Sequence, residues 1–296
     1  GALCVFPPGF TTREGNPLPL IVRKSDGGFG YDTTDLAAIR YRLSDLGADH
    51  VIYVVGAPQR EHLEMIIETA RLAGWLRSPT RAEHVAFGSV LGADRKMFRT
   101  RAGGSIRLVD LLDEAVERAS RIVAERGDEL SPEEQAAVSE AVGIGAVKYA
   151  DLSNDRVKDY VFDWDRMLDF TGNTAPYLQY AHARVRSIFR KAQAAGIDTS
   201  DLAPAAGFHP AERRLALELL SFDGAVHATE AALQPHRLCT YLFDLATAFT
   251  DFYESCPILR ADTPEQLRSR LFLADLTARV LAQGLDLLGI KAPERM

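Results

Sequence analysis

Apolar positions along residues 19–91 alternate between two periods. Residues 20–22 form a short apolar run, and residues 50–55 (HVIYVV) form a continuous run rich in β-branched residues, as expected for a strand buried on both faces. Between them, Thr33 or Thr34 is a plausible N-cap for a helix running to about Leu46, with Gly47 just past its end. Leu63, Ile66, Ile67 and Ala70 fall at helical spacing, Gly74 closes that helix, and residues 84–90 are the next strand candidate. The order βαβαβ predicts a parallel sheet with helices on its faces. From about Val109 the pattern becomes helical throughout, starting with the stripe Leu111, Leu112, Ala115, Val116 and Ala119. Ser131, Pro132 and Glu134 form a capping box with proline at its favoured first position. Residues 175–296 give long helical patterns broken at 196–207, Pro235, Pro257 and Pro264, which predicts a helical bundle. The fold class is therefore α/β followed by all-α.

A chain of 296 residues has room for two domains, and 47% hydrophobic with 25% charged residues is a globular balance. No apolar run approaches the roughly 18 residues that span a bilayer, and GALCVFPPGF lacks the basic and apolar regions of a secretory signal, so no membrane partner is expected. Cys4, Cys239 and Cys256 are too few and too scattered for a disulfide framework or a zinc site. They suit a reducing, cytoplasmic setting, and no metal ligands are assigned. The net charge of −7 weighs against nucleic-acid binding on average, although a local basic face can coexist with an acidic whole.

Polar residues concentrate where strands hand over to helices. In GFGYDTTD, residues 28–35, Tyr31 and Asp35 stand at such a junction, and Gln59 in YVVGAPQ takes the equivalent place after the next strand. In an open parallel sheet this is the carboxyl edge, where ligands bind. A carboxylate at a helix start also compensates the dipole. Further on stand the basic segment GADRKMFRTRAGGSIRL (92–108), the polar block VKYADLSNDRVKDYVFDWDRML (147–168) and the stretch NTAPYLQYAHAR (173–184). The basic residues Arg184, Arg186, Arg190 and Lys191 follow, then LQPHRLCTYLFDLATAFTDFYESCPIL (233–259).

Residues 146–188, read with 28–59 and 233–259, resemble the arginyl-tRNA synthetases, a family of class I aminoacyl-tRNA synthetases. The resemblance implies the second half of a Rossmann-type catalytic domain plus a helical-bundle anticodon-binding domain, with divisions at 1–108, 109–174 and 175–296. It implies ATP-dependent activation of arginine and its transfer to tRNA. Tyr31, Asp35 and Gln59 then form the arginine pocket: a carboxylate can grip guanidinium bidentately while Tyr and Gln oxygens accept its other donors. Arg99, Thr100 and Arg101 lie in the loop that would neutralise charge on the triphosphate as the substrate carboxylate attacks the α-phosphorus. His84, Phe87, Gly88 and Val90 correspond to the strand that passes the adenine. Arg184, Arg186 and Arg190 would contact tRNA phosphates, and Arg237 and Tyr241 its bases. Phe162 and Trp164 fit a core role better than base stacking.

The expected substrates are therefore ATP, with Mg2+ as its counter-ion, L-arginine and arginine tRNA, with no DNA. None of the seven histidines begins the His-x-Gly-His signature of class I synthetases. That points to the C-terminal portion of a synthetase, with a missing N-terminal half as a further partner; the ending GIKAPERM is typical of the family's C-terminus. The alternative is a non-catalytic relative that binds tRNA or arginine without activation.

Overall fold

The computed structural model describes residues 1–92, 94–96, 107–126, 130–205 and 209–296. They fall into two compact units, Gly1–Ser89 and Val90–Met296.

In the first unit, β1 (Leu3–Val5) pairs antiparallel with β2 (Leu20–Arg23). α1 (Tyr31–Ser44) follows, then β3 (His50–Gly56), a 3-10 turn (Ala57–Gln59), α2 (Arg60–Leu72) and β4 (Arg81–Phe87). β3 and β4 run parallel in continuous register, from His50 opposite Arg81 to Gly56 opposite Phe87. The predicted βαβ unit is thus present at 50–87, with its second strand starting at Arg81 rather than His84. β2 joins β1 instead of the parallel pair, so the first predicted strand belongs to a separate small sheet. The apolar run of β3 is not buried on both faces. Val51 packs with Leu36, Ile39, Ile66 and Ala70 of the two helices, whereas the alternate residues Ile52 and Val54 are 42% and 64% exposed.

The start of α1 differs from the expected one, with a consequence for chemistry. Neither threonine is the N-cap. Gly30 takes that position, Thr33 Oγ1 donates to the Val22 carbonyl, and Thr34 Oγ1 donates to the Tyr31 carbonyl. The hydroxyls are used by β2 and by the helix itself, so the helix begins at Tyr31. Tyr31 and Asp35 are then an i, i+4 pair, one turn apart on one face.

The second unit opens with β5 (Val90–Leu91), α3 (Leu108–Arg126) and α4 (Pro132–Leu152), then β6 (Tyr160–Val161) and α5 (Trp164–Met167). β5 and β6 pair in parallel. The capping box forms as expected: the Glu134 backbone N–H donates to Ser131 Oγ, and the Ser131 N–H to the Glu134 carboxylate. α3 and α4 pack so closely at Gly143 that a Cβ there would lie 2.7 Å from the Ala115 and Val116 backbone. Phe162 is buried beside Trp164, over whose ring the Arg118 guanidinium lies at 4.7 Å.

The rest of the unit is helical: α6 (Ala175–Ala194), α7 (Pro210–Leu220), α8 (Phe222–Ala232), α9 (His236–Ser255) and α10 (Pro264–Leu287). The stripe Leu242, Leu245, Phe249 and Phe252 is fully buried against Leu215, Leu271, Leu281 and Leu285. The helical pattern does break at Pro235 and Pro264, and each of these prolines stands at the start of the next helix. Pro264 is in the first turn of α10 behind the Thr263 cap, and Pro235 is the N-cap of α9. No described helix is long and apolar enough to cross a membrane.

Candidate functional site

The first candidate site lies at the N-terminal ends of α1 and α2. Tyr31 is 69% exposed, and its ring centroid lies 4.9 Å from that of the His62 imidazole. His62 Nε2 lies 2.7 Å from Asp35 Oδ2, and its Nδ1 lies 3.4 Å from Asp32 Oδ1. Gln59 is the N-cap residue of α2, exposed, one turn before His62. Two of the three expected pocket residues, Tyr31 and Asp35, therefore meet on one imidazole, and the third begins the helix that carries it. Asp32 and His62 were not singled out from the sequence. The signal was a histidine one turn after Gln59, but its carboxylate partners sit 27 and 30 residues away.

This arrangement presents acceptors to an incoming cation. With Oδ2 of Asp35 engaged by His62, Oδ1 and the remaining lone pairs stay available to guanidinium donors. Acidic groups are also favoured in the first turn of a helix. Tyr53, on β3, is half-buried: burial pushes its hydroxyl up from its ordinary pKa, and the charge of Asp35 acts the same way, while Arg42 opposes both.

The residues expected near ATP are placed as follows. His84 is on β4, and its Nε2 donates to the Val55 carbonyl at 2.8 Å, leaving its buried Nδ1 without a partner among the described residues. Phe87 ends β4 and is exposed, and Gly88 follows. Val90 opens the second unit on β5. Arg99, Thr100 and Arg101 lie outside the described residues.

The second candidate site is a groove of about 890 Å³ in the helical unit. Its walls include Tyr180, Arg184, Arg190 and Lys191 of α6, with Tyr253 and Arg260 beyond them. The Arg184 guanidinium lies over Tyr180 at 5.3 Å and over Tyr253 at 4.8 Å, a cation–π contact with each ring. The tail after α10 closes one side, contributing Arg295 and Met296. It is fastened along α6. Gln179 donates to the Lys291 carbonyl, His182 Nδ1 to that of Pro293 at 2.9 Å, and Arg190 to that of Glu294 at 2.8 Å.

The five expected RNA-facing residues separate here. Arg184 and Arg190 line the groove. Arg186 instead pairs with the Glu294 carboxylate at 2.9 Å. Arg237 donates to Gln234 one turn away. Tyr241 is a core residue: it is 8% exposed, and its hydroxyl donates to the Glu218 carbonyl. Burial pushes that hydroxyl far above its ordinary pKa, so it stays a neutral donor. Its ring is covered by the packing of α8 on α9, which corrects its expected place on the surface. The tail's part in the groove was not foreseen, since it depends on contacts across more than 100 residues.

Residues 1–164 match the family described as tRNA synthetases class I (R), catalytic domain, and residues 178–296 match the DALR anticodon binding domain. The chain is 59% identical over its whole length to an arginine–tRNA ligase of Thermobifida fusca, covering 51% of that protein. It is 56% identical to the same enzyme of Frankia casuarinae, covering 50%. Among solved structures, the arginyl-tRNA synthetase of Thermus thermophilus superposes with a TM-score of 0.85 at 30% identity, over the whole chain and 54% of that protein. That of Plasmodium falciparum gives 0.82 at 33% identity, over the whole chain and 49% of its partner. The chain spans about half the length of the curated relatives it matches.

Proposed function

Because the chain belongs to the class I (R) tRNA synthetases, we propose that it works as part of an arginine–tRNA ligase. In this reading it supplies the guanidinium end of the amino-acid pocket and the RNA-binding helical domain. The observation that carries the proposal is the junction of Tyr31 and Asp35 on one helical face with Gln59 opening the next helix. Such a set of acceptors fits a planar cation with five donors and leaves groups unpaired against an analogue that lacks them.

ATP is the second substrate, with Mg2+ carried on its phosphates as counter-ion. Binding places the arginine carboxylate to attack the α-phosphorus, forming arginyl-adenylate and releasing pyrophosphate. Arg99 and Arg101 would offset the growing negative charge on the phosphates, with Thr100 between them. His84, Phe87, Gly88 and Val90 are assigned to the adenine side. Arginine tRNA is the acceptor, held by the groove of Arg184, Arg190 and Lys191, with Arg237 as a further candidate contact. Residues 1–108 would then serve activation, 109–174 connect, and 175–296 bind RNA, in the cytoplasm. The exposed apolar face of β3 supports a further element packing there in the whole enzyme, since parallel sheets are normally covered on both faces.

The test is arginine-dependent exchange of pyrophosphate into ATP, with arginine tRNA present. These 296 residues hold no His-x-Gly-His signature, so the chain alone is expected to give none. Supplying the N-terminal half of the Thermobifida fusca relative should restore exchange, and Asp35→Ala should remove it. Exchange by the chain alone at the rate of a whole synthetase would contradict this division of labour. Restored exchange indifferent to Asp35→Ala would contradict the pocket.

A further inference from the structure

Asp35 receives a guanidinium at least cost when its carboxylate is already held in one orientation, and one side chain is placed to hold it. His62 touches three of the neighbouring groups at once: Asp35 through Nε2 at 2.7 Å, Asp32 through Nδ1 at 3.4 Å, and the Tyr31 ring at 4.9 Å. It is also the more sheltered partner, with a side chain 15% exposed against 40% for that of Asp35, while Tyr31 is an exposed residue. The exposed residues would meet the ligand, and the imidazole lies beneath them. It stands on α2 one turn after Gln59, so a single ring ties the Tyr–Asp pair of α1 to the start of the helix that bears the glutamine.

We propose that His62 is a positioning residue of the arginine pocket. It fixes the rotamer of Asp35, leaving Oδ1 as the oxygen offered to the guanidinium, and sets the spacing between that oxygen and Gln59. The inference rests on the arginine reading given above. Its physical content is preorganisation: without His62, Asp35 is an exposed carboxylate that must be ordered when the ligand arrives, at a cost in affinity. Asp32 stands one step further out, its Oδ1 3.4 Å from the opposite ring nitrogen, where its negative charge faces that edge of the ring. This parallels the way outer partners orient the ligating histidines of metal sites.

The experiment is a titration of the isotopically labelled chain with L-arginine, followed by NMR at the Tyr31, Asp35 and His62 signals. Wild type is compared with Asp35→Asn, His62→Ala and His62→Gln, and thermal midpoints are recorded for each. Wild type should bind, Asp35→Asn should lose binding, and His62→Ala should bind about tenfold more weakly with an unchanged midpoint. His62→Gln keeps an N–H donor toward Asp35 and should recover most of that loss. Equal affinity in wild type and His62→Ala, with Asp35→Asn still defective, overturns the role of His62 and leaves the pocket standing. A His62→Ala defect that comes with a lowered midpoint and is not recovered by glutamine also overturns it, since the residue then serves folding alone. Absence of arginine-dependent shifts in wild type, or shifts indifferent to Asp35→Asn, overturns the arginine reading together with this inference.

Discussion

Asp35 combines exposure with a fixed neighbour, which is what a cation-binding carboxylate needs. It is open enough to meet a ligand, yet His62 holds one oxygen at 2.7 Å. Asp35→Ala should therefore weaken arginine binding by about 1.5–3 kcal/mol, the range of hydrogen bonds to a charged group, because the bound guanidinium would lose its counter-charge. The same titration measures it, and an affinity within threefold of wild type would refute the assignment. A second residue gives a pH-dependent signature. His182 is buried against the tail, and burial, the largest cause, pushes its pKa down. Its hydrogen bond to the Pro293 carbonyl and the nearby Glu294 oppose that shift more weakly, while Arg186 adds to it. The folded chain thus holds fewer protons here than the unfolded one as pH falls through the ordinary value of about 6.5. Stability from this site is complete above that value and is lost below it. The thermal midpoint should drop between about pH 7 and pH 5, and less so in His182→Asn, which keeps a donor toward Pro293 but cannot titrate. Equal slopes would contradict the assignment. Tyr31 and Asp35 stood out in the sequence because they sit where a strand hands over to a helix and match the family's arginine pocket in type and spacing. His62 did not, because nothing local reveals that two carboxylates of α1 surround it.

At the level of elements, the packing of α3 on α4 makes two graded predictions. Ser131→Ala removes one acceptor of the capping box and should cost about 1 kcal/mol. Gly143→Ala puts a methyl group 2.7 Å from the α3 backbone, which cannot turn aside as a side chain can. It should cost about 1–3 kcal/mol, more than the cap. Denaturant titration of both variants ranks them, and a neutral Gly143→Ala would show that the hairpin is looser than described. The cap was readable because its two partners are three residues apart. Gly143 lies in an apolar helix and reads as any small residue; only the approach of α3 makes it special. The same contrast explains the N-terminus of α1. Thr33 and Thr34 have the chemistry of caps, but a tertiary bond to β2 takes one of them. In β3, the run rich in β-branched residues showed a strand but not how many of its faces are covered.

At the scale of the whole molecule, the net charge of −7 conceals a basic groove. The charge count could not show it, because Arg184, Arg190, Lys191, Arg260 and Arg295 converge only after α6, α9 and the tail have packed. The dense basic stretch of α6 was visible in the sequence, but not that Glu294 occupies Arg186 while two tyrosine rings contact Arg184. The central claim is that this chain carries the RNA-binding half of an arginine-specific synthetase. A fluorescence titration of the chain with arginine tRNA, and with the tRNA of another amino acid, at two salt concentrations, tests it most directly. Affinity for arginine tRNA should be the higher, and it should fall as salt rises. Replacing Arg184 and Lys191 by alanine should weaken binding and flatten the slope of log affinity against log salt by about 0.7 for each single-strand phosphate no longer neutralised. Arg186→Ala should change the slope less, since its charge is already paired. Binding without salt dependence, or equal affinity for the two tRNAs, would contradict the claim.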